Sequence, residues 1–387
     1  MRALIVEQGW SRGALAATRA LAAGGWQVGV ATNSARGLSL ASRYCHRRHW
    51  TRPLHPVDDF VDSVAEAVKD GGYDVVFGAG EAEVLALSAA RHALPAIMPY
   101  APHEVVVRAL DKEAMTRAAA RVGIAVPDLV DPGTITDETT PVVVKARMHA
   151  RPDLPHSPPR IDTNVVVGRT AVHRRVAEIS AAGGDPQVQA FHEGQLIAYA
   201  AVRGPAGVVA RSQQRASRIW PPGAGASCRA VTVAADPVFT ARCDALLADL
   251  DWFGLAELQF LLGADGVPRL IDLNGRFYGS LSLAVAAGVN LPAVWADLAV
   301  GRSPARPLYA RPGVRYQWGA ADLRRAWRER RPGLLRDLAG TAGYAIGAVH
   351  SVAAAQDPGP AVARLVHAVQ DRGRQRTSSG RRSPVGT

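Results

Sequence analysis

Residues 254–280 read GLAELQFLLGADGVPRLIDLNGRFYGS. Two apolar runs, Leu255–Leu262 and Pro268–Leu273, flank a turn built from Gly263, Asp265 and Gly266, which is the pattern of a β-hairpin. Side chains alternate along a strand, so Asp272 and Asn274 share one face while Ile271 and Leu273 share the other. Glu257 and Gln259 share a face of the partner strand by the same rule. Pairing Leu262 with Arg269 sets Gln259 opposite Asp272 and Glu257 opposite Asn274. One face is then apolar and the other gathers four oxygen-bearing side chains. Oxygen donors on a rigid scaffold suit a hard cation such as Mg²⁺ (or Mn²⁺), whose remaining positions go to water and phosphate. An amphipathic hairpin with a solvated outer face shows the same alternation, so the continuation matters. Asn274-Gly275-Arg276 follows at the strand end, where backbone and a guanidinium can close on an anion.

IDLNGRFYGS resembles the Glu-x-Asn-Pro-Arg motif of ATP-grasp enzymes, and the preceding ELQF resembles the strand that supplies their other metal ligand. The resemblance implies that Asp272 and Asn274 hold Mg²⁺ on the nucleotide phosphates, with Gln259 at the upstream ligand position and Glu257 in reserve. It sets Arg276 near the acyl-phosphate. Two departures stand out: Asp272 is one methylene shorter than the family Glu, and Gly275 replaces Pro, which loosens the loop.

The chain carries 45 lysines plus arginines, yet its lysines are Lys69, Lys112 and Lys145 alone. Where Arg is otherwise the rule, a retained Lys marks a place for a compact point charge, and Lys is a common phosphate binder. ALDKEAMTRAAARVGIAVP reads as a helix stopped at Gly123, and PVVVKARM as a strand. These segments resemble the opening of the ATP-grasp fold, which implies nucleotide-phosphate contacts for Lys112 and Lys145. In PQVQAFHEGQLIAYAAVRG, a strand, a turn at Gly194 and a second strand, the residues Gln189, Ala190, Phe191 and His192 match the hinge that binds adenine through its backbone. Residues 150–160, ARPDLPHSPPR, stand where the family carries a glycine-rich flap. Proline withholds N–H groups, so phosphate contacts pass to Arg147, Arg151 or Arg160. The arginine-rich stretch VVARSQQRASRIWPPGAGAS resembles the segment that approaches triphosphate and substrate. Arg211, Arg215, Arg218 and Arg229 are its candidates, with Arg215 assigned alongside Arg276 to catalysis.

Upstream, ALIVEQG, VGVAT and YDVVFGAG read as strands alternating with helices at Ser11 to Ala23, Asp58 to Lys69 and Glu81 to Ala90. That is a doubly wound parallel α/β unit, of the kind that precedes the ATP-grasp fold and helps form the substrate site. The expected division is residues 1–100 for this unit, 101–310 for an ATP-grasp domain of two α+β subdomains, 311–370 for a small α-rich C-terminal appendage and 371–387 for a disordered basic tail.

A net charge of +11 raises the question of nucleic acid. Five arginines fall between Arg372 and Arg382 among Gly, Ser and Thr, and no nucleic-acid-binding motif accompanies them, so nucleic acid is not the expected partner. No apolar run reaches the roughly 18 residues of a membrane span. MRALIVEQGW reads as a first strand and not a signal peptide. Cys45, Cys228 and Cys243 are scattered without metal spacing, which fits a reducing, cytoplasmic setting. The reaction the resemblance implies is ADP-forming ligation: Mg²⁺-ATP phosphorylates a small carboxylate, and an amine displaces phosphate. Three further readings remain: a biotin-carboxylase-type enzyme, against which the biotin-domain partner signature is absent, an ATP-binding regulatory protein without ligation, and, on net charge alone, a basic nucleic-acid binder. The pattern is compatible with a homodimer and needs no other macromolecular partner.

Overall fold

The computed structural model describes residues 1–154, 158 and 160–379, with side chains to 370. The first unit is built from β1 (Arg2–Val6), α1 (Arg12–Ala23), β2 (Gln27–Thr32), β3 (Cys45–Trp50), α2 (Val57–Gly71), β4 (Val75–Gly78), α3 (Glu81–Ala89) and α4 (His103–Leu110). Its four strands form a parallel sheet in the order β3-β2-β1-β4. Ala3, Leu4, Ile5 and Val6 of β1 are buried on both faces, as a central parallel strand flanked by helices requires. The Ser11 hydroxyl caps α1, accepting from the Ala14 N–H at 3.1 Å. Strand β3 escaped the sequence pattern because CHRRHW lies at the sheet edge, mostly exposed, and carries no apolar alternation.

The stretch expected as one helix from Ala109 to Gly123 is two. Asp111 is extended, ends α4 and caps α5 (Lys112–Arg121), its Oδ1 accepting from the N–H groups of Glu113 and Ala114 at 2.9 and 3.2 Å. A carboxylate at the N-cap satisfies donors that a continuous helix would leave to backbone. Next come β5 (Pro141–Ala146), β6 (Asn164–Val167), α6 (Arg169–Ala181) and β7 (Pro186–Ala190). The three strands form an antiparallel sheet, β6-β5-β7, and Val142, Val144 and Val188 pack against Val172 and Ile179 of α6.

The largest layer follows: β8 (Gln195–Gly204), β9 (Gly207–Trp220), β10 (Ala226–Thr232), α7 (Pro237–Asp249), β11 (Gly254–Leu262), β12 (Pro268–Asn274), α8 (Leu281–Ala286), α9 (Leu291–Ala299), β13 (Leu308–Tyr309), β14 (Arg315–Gln317), α10 (Gly319–Glu329), α11 (Leu334–Ala345), β15 (Ala348–His350) and α12 (Gly359–Ser379). The sheet runs β12-β11-β8-β9-β10-β14-β15, with β13 on β9. The segment expected as an α-rich appendage thus also supplies β14 and β15 to this sheet. Helix α12 extends to Ser379, into the stretch read as a disordered tail, and residues 380–387 lie outside the described residues.

One aromatic cluster locks the first unit to the hairpin. Phe77 of β4, Phe277 after β12 and Trp295 of α9 lie within 5.5 Å of one another, ring centre to ring centre, and all are fully buried. Each such ring contributes about 1.5–3 kcal/mol by burial alone. Gly13 at the start of α1 sits so close to this segment that a Cβ there would lie 2.6 Å from the Phe277 carbonyl oxygen. The N-terminus of α1 is therefore pressed against the residues that follow Arg276.

Candidate functional site

The hairpin forms with the expected partners at its functional end and a slipped register at its turn. Glu257 pairs with Asn274 and Gln259 with Asp272, but Leu261 pairs with Arg269 and Leu262 with Pro268. A β-bulge beside Gln259 absorbs the difference. Ile271 becomes the extra residue and lines the cavity beside Asp272, and Leu270 takes the core face with Leu273. The expected pairing of Leu262 with Arg269, and the expected side for Ile271, are therefore corrected. A bulge re-aims side chains locally without disturbing the rest of the ladder.

The oxygen face opens on a cavity of about 540 Å³ between the large sheet, the three-stranded sheet and the start of α1. Lys112, Lys145, Gln189, Ala190, Phe191, His192, Gln259, Asp272, Asn274 and Arg276 all line it. A larger cavity of about 890 Å³ lies between α2, α3, α4 and residues 148–153. Its walls are mainly apolar and hold none of these residues.

Glu257 is the hub of the cluster's hydrogen bonds. It is 2% exposed, and its Oε2 accepts from the Gln259 amide at 2.9 Å and the Asn274 amide at 3.0 Å. Burial pushes its carboxyl up to about 7, against the pull of Gln259, Arg276 and Asn274. Asp272 stands in the opposite setting. Lys112 Nζ is 3.7 Å from its Oδ1 and His149 Nε2 is 3.5 Å from its Oδ2. Burial works to raise its pKa, yet Lys112, His149 and Lys145 together hold it far below the usual carboxylate range. Lys145, buried and donating to the Ile271 carbonyl at 3.2 Å, is drawn down to about 7, first by burial and then by Lys112.

The two lysines converge because the N–H of Lys112 donates to the carbonyl of Arg147, just past β5, at 3.1 Å. Arg147 is itself engaged by Asp111 and Glu113, and Arg151 pairs with Asp153. Of the three arginines offered as phosphate contacts, Arg160 alone lines the cavity. Residues 155–157 and 159 of the expected flap position lie outside the described residues. Gly223 and Gly225, in the loop from β9 to β10, line the cavity instead.

Strand β7 ends at Ala190, and residues 191–194 leave the ladder as they pass from one sheet to the other. Arg276 donates from one terminal nitrogen to the Phe277 carbonyl at 2.9 Å, and its Nε is buried without a partner among the described residues. Gly275 packs tightly against the residue beneath it. A Cβ there would lie 2.4 Å from Cη2 of the buried Trp252 ring, so glycine permits close packing under the arginine.

The arginines of β9 and β10 are not brought to the site. Arg215 is exposed and does not line the cavity. Arg211 binds Asp244 and Tyr199. Arg218 pairs with Asp322 and Asp337, and Arg229 with Asp322 at 2.6 Å, tying the sheet to α10 and α11. Sequence reasoning in turn missed His149, Trp10, Arg12 and Trp318. Arg12 lies over the Trp318 ring at 3.5 Å and donates to the Tyr316 hydroxyl at 2.8 Å. No local pattern marks these residues, since each reaches the cavity from a different layer.

Residues 208–321 match the profile of a family described as ATP-grasp in the biosynthetic pathway with Ter operon. Comparison with curated protein sequences gives no match. Among solved structures, an L-amino acid ligase from Bacillus licheniformis superposes with a TM-score of 0.60 at 16% identity, over 77% of this chain and 74% of that one. A biotin carboxylase from Campylobacter jejuni, solved as a β,γ-ATP complex, gives 0.59 at 14% identity over 78% and 71%. N5-carboxyaminoimidazole synthetase from Staphylococcus aureus gives 0.58 at 10% identity over 79% and 78%. The chain has the ATP-grasp fold, preceded by a parallel α/β unit, as its motifs imply. No helix of the described residues is long and apolar enough to cross a membrane.

Proposed function

We propose that the protein is an ATP-dependent ligase that activates a small carboxylate as an acyl-phosphate and joins it to an amine, releasing ADP and phosphate. The observation that carries this reading is the convergence of two buried lysines, two carboxylates and Arg276 on one cavity. Phosphoryl transfer needs positioning and charge neutralisation more than covalent chemistry, and these are the groups that supply both. Lys112 and Lys145 would hold nucleotide phosphates, and the backbone at Gln189, Ala190, Phe191 and His192 would meet adenine. Arg276, with an unpartnered Nε and a planar fork, suits a carboxylate or a transferred phosphoryl group.

The donors fit a hard cation. Glu257 is a buried carboxylate whose charge nothing nearby balances fully, and Gln259 and Asn274 turn their amide nitrogens toward it, which leaves their carbonyl oxygens as further donors. Glu257, Gln259, Asp272 and Asn274 would hold Mg²⁺ (or Mn²⁺), with phosphate oxygens completing its shell. When bound, the ion would neutralise phosphate charge. The protein's own part is to keep Asp272 ionised through Lys112 and His149 and to keep Arg276 in place through Trp252 and Phe277.

The test is ADP release measured over pairs of small carboxylic acids and amines, with and without Mg²⁺. Release that requires one acid and rises with one amine is the expected result. Release without any acid, or none with any pair, would refute ligation, and bicarbonate as sole acceptor would point to carboxylation. Lys145→Ala should weaken ATP binding about a hundredfold in a folded protein, read by calorimetry.

A further inference from the structure

A second, smaller cavity of about 330 Å³ adjoins the first. Trp10, Ser11, His149, Arg160 and Arg276 line both. Its far wall is the first unit: Glu7 immediately after β1, and Gly80, Glu81 and Glu83 after β4. In the order β3-β2-β1-β4 the chain winds one way from β1 to β2 and the other way to β4. The crevice beyond the carboxyl ends of β1 and β4 is thus the place where an open parallel sheet binds ligands.

Glu7 is the group left unexplained there. It is 3% exposed, and neither carboxylate oxygen has a hydrogen-bond partner among the described residues. The Ser39 hydroxyl and the backbone of Ser11 and Gly9 lie close enough to favour its charge, yet Ser39 Oγ is itself without a partner. Its neighbours are differently placed: Glu81 accepts from the His149 N–H at 3.2 Å, and Glu83 lies in the field of Arg276 and near the Gln8 side chain. A buried carboxylate with open lone pairs is costly unless a donor arrives. Arg160 and Arg276 stand on the side shared with the first cavity, whereas the three glutamates make the far wall unfavourable for an anion and too polar for an apolar group. The volume suits a small amine of amino-acid size.

We propose that this crevice binds the nucleophilic amine in its ammonium form, with Glu7 as its acceptor and proton base, beside the acyl-phosphate at Arg276. The binding stands on the geometry above, and the chemical step rests on the ligase reading. Glu7 takes one proton from the ammonium, and the freed lone pair attacks the acyl carbon. The C–N bond forms, the C–O bond to phosphate breaks, and the second N–H proton leaves with the phosphate as HPO₄²⁻. Glu7 then returns its proton to solvent. Burial has already pushed the Glu7 carboxyl up to about 7, where a carboxylate is a better base than usual.

The binding half is tested with L-alaninamide and L-lactamide, which differ by an ammonium against a hydroxyl. Saturation-transfer NMR on the full chain should show transfer to L-alaninamide and little to L-lactamide, with the alaninamide signal falling severalfold in Glu7→Gln. Equal signals from the two amides in the wild type, or an unchanged alaninamide signal in a folded Glu7→Gln protein, would overturn the proposal. The chemical half is tested by trapping the acyl-phosphate with hydroxylamine, which needs no ammonium site. Glu7→Gln should cut amide formation about a hundredfold more than hydroxamate formation, and equal losses in the two would remove Glu7 as the base. Alaninamide binding through Glu7 without any acid-dependent ADP release would leave the amine site standing and refute the ligase reading.

Discussion

Asp272 and Glu7 are carboxylates at strand ends on adjoining cavities, and their surroundings are opposite. Asp272 has Lys112 and His149 within 3.7 Å and Lys145 nearby, and its side chain is a fifth exposed to the cavity. Glu7 is more deeply buried, and neither of its carboxylate oxygens has a hydrogen-bond partner among the described residues. The contrast separates two ways of preparing a site. A group that must stay ionised throughout a reaction is compensated in advance by the protein. A group whose partner arrives with the substrate is left unbalanced, at a cost in stability.

The largest effect expected from breaking this contrast is on the compensated side. Asp272→Asn should lower turnover by about a thousandfold or more, because a donor to the phosphate-bound cation and the counter-charge of two lysines go together. It should also destabilise the fold, on the order of 1–2 kcal/mol given the partial exposure. Steady-state kinetics and urea unfolding at neutral pH check both, and a stabilised variant would contradict the pairing.

Arg276 lies on both cavities. Arg276→Lys should keep ATP binding within about threefold, under about 1 kcal/mol, while turnover falls about a hundredfold, near 2.7 kcal/mol. A lysine cannot reproduce the planar fork. Near-normal turnover, or loss of ATP binding itself, would remove Arg276 from the transfer point.

On the uncompensated side the sign reverses. Glu7 has a folded-state pKa of about 7 against an ordinary 4.5, so the folded state favours its protonated form. The stability this carries is complete below about pH 4.5 and is lost as pH rises through about 7. Glu7→Gln should therefore stabilise the protein at pH 8, on the order of 1–3 kcal/mol, and bring no gain at pH 4.5. Thermal or denaturant unfolding at the two pH values decides it, and a variant destabilised at pH 8 would show that Glu7 has a partner after all.

The smallest expected effect is a control. Arg215→Ala should change turnover by less than about twofold, as is usual for an exposed residue away from buried networks. A loss above tenfold would return Arg215 to the site.

The hairpin was legible in sequence because its information is local. Alternation, a Gly-Asp-Gly turn and the run from Asp272 to Arg276 need only neighbouring residues. The pairing of Gln259 with Asp272 followed from that pattern even though the turn register did not, since a one-residue bulge leaves no mark in composition. The two lysines were legible because the chain otherwise uses arginine. Arg218 and Arg229 were misleading for the complementary reason: on the strand they look like anion binders, and their partners, Asp322 and Asp337, lie 93 to 119 residues on. Asp111 hid a helix break inside a helical pattern, because a cap and a helical surface residue are the same residue type in sequence.

By itself the sequence determined the strand and turn chemistry of the hairpin, the parallel α/β opening and the residue types that face the cavity, all consequences of backbone periodicity and turn preference. The tertiary structure alone decided which charges balance. Lys112 and Asp272 meet because Lys112 is held to Arg147 beside β5. Arg12 reaches Gly279 across 267 residues of chain because Gly13 admits the helix start to the Phe277 backbone. Glu7, just past β1, is buried with no hydrogen-bond partner among the described residues. Charge balance depends on distances between segments, and those are fixed by how layers stack and not by the order of residues along any one of them.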